Sequence, residues 1–87
     1  MAMSGSTWRD HPFVLGGRYR ANIKILSHPN SEFSKNSVYE LKNIGHSHYD
    51  SASVFAFINV ESGKLQSWWW FDDEPESLCA DYFSVVT

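Results

Sequence analysis

The chain has 87 residues, of which 43% are hydrophobic, 16% aromatic and 20% charged, so it is one globular domain and not a disordered segment. Its net charge of −3 argues against binding polyanions through bulk charge. The single cysteine, Cys79, excludes an intramolecular disulfide framework and a four-cysteine metal site.

The charge is unevenly distributed. Residues 1–44 hold six basic against three acidic side chains (+3), and residues 45–87 hold one basic against seven acidic ones (−6). The simplest reading is attraction between the halves inside one fold; the sharper one is two surfaces of opposite sign that favour head-to-tail contact or a polar protein partner. Residues 1–7 lack the basic start and apolar run of a secretory signal, and no stretch approaches the roughly 18 apolar residues of a membrane span. The expectation is a cytoplasmic protein away from the membrane.

Residues 1–12 mix small, polar and charged types up to Pro12 and read as a flexible arm. Trp8 is expected to pack back on the domain, which spans residues 13–87. Phe13-Val14-Leu15 leads into the Gly16-Gly17 turn. From Arg18 the pattern alternates, with Tyr19, Ala21, Ile23 and Ile25 on one face and Arg18, Arg20, Asn22 and Lys24 on the other. Period-two alternation predicts a half-buried strand. Residues 27–36 then read as a loop anchored by Phe33, because Pro29 cannot donate to a ladder. Residues 37–44 form a second strand candidate with less clean alternation, followed by Gly45 and a polar corner from His46 to Ser51.

Val54 to Phe71 reads as a β-hairpin around Ser62-Gly63, and it carries six of the fourteen aromatic side chains. Beyond it comes the acidic run Asp72-Asp73-Glu74-Pro75-Glu76. Pro75 can start a helix, so a short helical turn, 3₁₀ in form, is expected through Leu78–Asp81, then a closing strand over residues 82–86.

The order is strand, long loop, strand, corner, hairpin, helical turn, short strand. It resembles the layout of small SH3-like barrels, and of small uncharacterised bacterial SH3-like β-barrel domains. The likeness rests on Gly16 to Tyr19, Tyr49-Asp50, the aromatic hairpin and Tyr82-Phe83. It implies an all-β fold, a small SH3-like barrel of about five strands with one short helical (3₁₀) turn before the last. It implies no activity.

Pairing Glu61 with Lys64 across a two-residue turn divides the hairpin into two faces. Val54, Ala56, Ile58, Val60, Leu65, Ser67, Trp69 and Phe71 form an aliphatic-rich face expected to be core. Phe55, Phe57, Trp68 and Trp70 form an aromatic quartet that grades into Asn59 with Gln66 at the turn. Three strands alone cannot bury both faces. The quartet is covered by the arm and the Phe33 loop inside a bent barrel, or it is left for a partner, a second subunit or a sugar.

Three constellations could carry chemistry. His46-x-His48 with Asp50 is the candidate for a metal-dependent or hydrolytic site, since imidazoles two apart on a strand share a side, but a third firm ligand is lacking. The acidic run could supply paired carboxylates but reads more simply as a solvated loop, and Cys79 as a buried hydrophobe. Arg18, Arg20 and Lys24 line one strand face and could hold a single-stranded nucleic acid beside stacking aromatics. The residues favour no enzyme and no cofactor. They favour a protein-interaction or accessory module contacting its partner, or a second copy, through Phe55, Phe57, Trp68 and Trp70.

Overall fold

The computed structural model describes residue 7, residues 9–27 and residues 31–86. Trp8, whose packing the sequence anticipates, lies outside the described residues. The elements in chain order are β1 (Arg18–Ala21), β2 (Ile25–Ser27), β3 (Ser31–Phe33), β4 (Val38–Ser47), β5 (Ala52–Asn59), β6 (Leu65–Phe71), α1 (Ser77–Tyr82) and β7 (Phe83–Val85). A five-stranded antiparallel sheet runs β6-β5-β4-β1-β7, and β2 and β3 form a separate two-stranded ribbon. The sheet has two edges, β6 and β7, and its ladders do not close it into a barrel. The fold is thus mostly β with one short helix, which is α-helical where the sequence suggests a 3₁₀ turn. Its radius of gyration of 11.9 Å matches the roughly 12 Å expected of a compact chain this long.

The first strand is shorter than the alternation suggests. It stops at Ala21 because Asn22 turns its amide to Ala80 O and Asp81 O and accepts a bond from Ser84 Oγ, tying the bend to α1 and β7. Ile23 therefore emerges at the surface, while Ile25 returns to the core in β2. The loop expected over residues 27–36 contains β3, whose Phe33 pairs with Ile25; both are buried.

The imperfect alternation of the second strand candidate has a structural cause. β4 shifts register between Leu41 and Asn43, so Tyr39 and Leu41 point inward before the bulge, and Ile44 does so after it. The strand then continues to Ser47, which moves His46 from the expected corner into the sheet.

The hairpin keeps its division into faces but changes its register and its sense. Phe55 pairs with Trp68, Phe57 with Gln66 and Ser53 with Trp70. Compared with a two-residue turn, this is a slip of two residues, and an even slip leaves every side chain on its own face. The connection is longer: Asn59 N–H donates to Lys64 O, Gly63 N–H donates to Asn59 O, and Gly63 takes the positive φ (+76°) the turn requires.

The face expected to be core is the outer one, and the aromatic quartet is the core. Phe55, Phe57 and Trp70 are fully buried and Trp68 nearly so, whereas Leu65 is 61% and Val60 43% exposed. Phe13 sits at the centre, with ring centroids 5.0–5.9 Å from Tyr19, Phe55, Phe57, Trp68 and Phe83. Large rings remove the most apolar area per residue from water, so a small domain gains more by turning its aromatic face inward.

Candidate interaction surface

The four aromatic contact candidates do not form a surface. Phe55 stacks on Trp68 and Trp68 on Trp70, with centroids 5.6 and 6.0 Å apart, and Phe57 stacks on Phe83 at 5.0 Å. Their cover comes partly from the segment before Phe13. His11 meets Phe55 edge-on at 5.1 Å, and Thr7 Oγ1 lies 2.7 Å from Ser53 Oγ.

Arg9 makes the firmest of these contacts. Only 8% exposed, it lays its guanidinium 3.5 Å from the centre of a Trp70 ring, a close cation–π contact. It also donates to Phe71 O (3.0 Å) and Glu74 O (2.9 Å). The acidic corner is therefore structured: Trp70 Nε1–H donates to Pro75 O, and Phe71 N–H donates to Glu74 Oε1. Sequence reasoning missed Arg9 because nothing periodic marks it. Its one signal was the acidic run, which calls for a basic partner from the other half of the chain.

The His46, His48 and Asp50 trio is not brought together as one site. The two imidazoles lie with centroids 4.8 Å apart, but His46 Nε2 faces the Asp72 carboxylate at 3.2 Å, and Asp50 accepts a bond from Ser47 Oγ at 2.8 Å. Among the described residues no group of three histidine, cysteine or acidic side chains could hold a metal ion. Cys79 is buried, and desolvation raises its thiol pKa to about 11, far from an activated nucleophile.

The basic stripe is partly neutralised where it stands. Arg18 pairs with Glu40 at 3.5 Å and shares it with Lys42 at 3.3 Å, and Lys24 pairs with Glu32 at 3.7 Å. The Lys42 bond is the main reason the Glu40 carboxyl lies below its ordinary pKa. No described residue pairs with Arg20, but the rings that would stack on bases are buried. These three ion pairs are all internal to the positive half of the sequence, and Arg9 reaches the negative half through two backbone carbonyls and the Trp70 ring.

The hairpin still presents apolar groups, on its outer side. Ile58 and Leu65 are cross-strand partners there, with Val60 at the turn. Two open grooves flank this end of the hairpin. One, of about 430 Å³, is lined by polar residues including Asn59, Lys64 and Gln66; the other, of about 440 Å³, is lined by Lys35–Val38 with Val60 and Glu61. No helix of the described residues is long and apolar enough to cross a membrane. Comparisons with protein-family models, with curated proteins and with solved structures find no match for this chain.

Proposed function

We propose that this domain is a non-enzymatic protein-interaction or accessory module, and that its contact surface is the outer face of the β5–β6 hairpin and not the aromatic quartet. The observation that carries the reading is the residual apolar surface at Leu65 and Val60, beside the half-buried Ile58, left over after the core has taken the quartet. Exposed aliphatic side chains at the turn end of a sheet suit a protein partner better than a small polar substrate. Support for the finer architecture, an SH3-like barrel, is the succession of a long first connection, a three-strand meander, a helical turn and a last strand that pairs with the first. Nucleic-acid binding through Arg18, Arg20 and Lys24 has less support, because Glu40 and Glu32 compete with phosphates for two of the three cations.

A photo-crosslinking residue placed at Leu65 tests this reading against the same residue placed at Arg20. The expected outcome is discrete adducts from position 65 alone, whether with a second copy or with another protein, which Val60→Asp in the same chain abolishes. Equal labelling from both positions, or none from 65, would remove the proposal.

A further inference from the structure

The inward face of the hairpin does not stay apolar to its end. Beyond Phe57 and Trp68 it continues as Asn59 and Gln66, and these join Tyr39, Lys64, Glu32 and Ser34 around the open groove of about 430 Å³. The polar groups there are oriented by backbone hydrogen bonds. Asn59 Oδ1 accepts from Glu61 N–H (2.8 Å) and Ser62 N–H (3.1 Å), and Gln66 Oε1 accepts from Glu32 N–H (3.2 Å). Tyr39 Oη accepts from Ser34 N–H (2.9 Å). Three acceptors are thus occupied. Asn59 and Gln66 each keep an amide NH₂ group to offer the groove, whereas Tyr39 is only 1% exposed and keeps its proton inside. Among the described residues neither NH₂ group has a partner, and Lys64 adds an ammonium in no ion pair.

A groove of donors complements a ligand that only accepts, and an ionised carboxylate does only that. One available cation matches one negative charge. Glu32, tied to Lys24 on the rim, repels a second charge held on the same centre, which disfavours a phosphate dianion, whereas the further carboxylates of a peptide can turn to solvent. We propose that this groove binds an acidic peptide, with Lys64 taking one Asp or Glu carboxylate and the Asn59 and Gln66 amides donating to it or to the adjoining peptide carbonyls. The groove and the outer aliphatic surface lie on opposite faces of one hairpin, so either can bind without the other.

The test is an NMR titration of the full chain with N-acetyl tetraglutamate, with tetraglutamine and inorganic phosphate as parallel arms at equal ionic strength. The side-chain NH₂ signals of Asn59 and Gln66 should move with tetraglutamate only. Lys64→Gln should weaken that binding about tenfold, the loss expected of one charge-assisted hydrogen bond. Gln66→Glu keeps the acceptor for Glu32 N–H and replaces the free donor by a negative charge, so it should abolish binding without unfolding the chain. Lys35→Gln, in the other groove, should leave the affinity unchanged. Equal responses to phosphate and tetraglutamate, shifts centred on Arg20, or indifference to Gln66→Glu in a chain whose spectrum stays folded would each overturn the proposal.

Discussion

Gly17 and Gly45 show how differently one residue type can be used within this chain. A Cβ at Gly17 would lie 2.8 Å from Tyr19 Oη and 3.0 Å from Val14 O. Those atoms close a tight corner, since Val14 N–H donates to Tyr19 Oη at 2.7 Å and Gly17 N–H donates to Val14 O at 2.9 Å. Gly45 sits in β4 opposite Val54, and a Cβ there would meet no atom within 4 Å. Gly17→Ala should therefore cost about 1–3 kcal/mol by displacing the tyrosine hydroxyl. Gly45→Ala should be neutral or stabilise by about 0.5 kcal/mol through lower unfolded-state entropy. Urea midpoints of the two variants decide it, and a milder effect at Gly17 would refute the packing described. At this scale the sequence was legible where periodicity spoke: Tyr19, Ala21 and Ile25 point inward as their spacing predicts. It was not legible at Ile23 or Arg9, because both are placed by polar contacts between distant segments, and no local pattern encodes such contacts.

Among the elements, β6 solves the problem of an edge strand. Its outward N–H groups are capped by side chains: Ser67 N–H donates to Ser31 Oγ (3.1 Å), Trp69 N–H to Ser27 Oγ (2.8 Å) and Phe71 N–H to Glu74 Oε1 (3.0 Å). The β2–β3 ribbon thus stands along the edge of β6 without adding a backbone ladder, and the other edge strand, β7, is only three residues long. Both devices oppose edge-to-edge association. Replacing Ser27 and Ser31 together by alanine uncaps two donors. The expected loss is about 2 kcal/mol, one for each hydrogen bond, together with faster aggregation on storage as followed by light scattering. A double variant as stable and as soluble as the parent would mean that the ribbon is held by its apolar contacts alone. The sequence located strands, hairpin and helical turn well, because hydrophobic period and proline placement are local signals. It could not locate β2 and β3 as separate strands, since three-residue elements carry too few positions to show a period.

For the molecule as a whole, the sequence chose the wrong face of the hairpin as the inward one. Parity fixed the two groups of side chains, but choosing between them depends on what packs opposite. Phe13, Phe33 and Phe83, from three distant segments, supply that answer. An interior closed in this way also shapes the pH dependence of stability. Burial lowers the His11 pKa below its ordinary 6.5, with nearby Asp10 opposing the shift in part. The unfolded chain therefore takes up this proton first as the pH falls, and stability drops below about pH 6.5 until the native imidazole is itself protonated. Cys79 works at the other end. Its thiol ionises near 9 when unfolded but near 11 in the fold, so the unfolded chain loses this proton first and stability drops between about pH 9 and 11. These two groups together predict a plateau of greatest stability between about pH 7 and 9. His11→Gln should flatten the acid limb below about pH 6.5, and Cys79→Ala the alkaline one, each leaving the other limb intact. Urea unfolding across this range reads both limbs at once, and an acid limb unchanged by His11→Gln would show that the imidazole is not buried against Phe55 in solution.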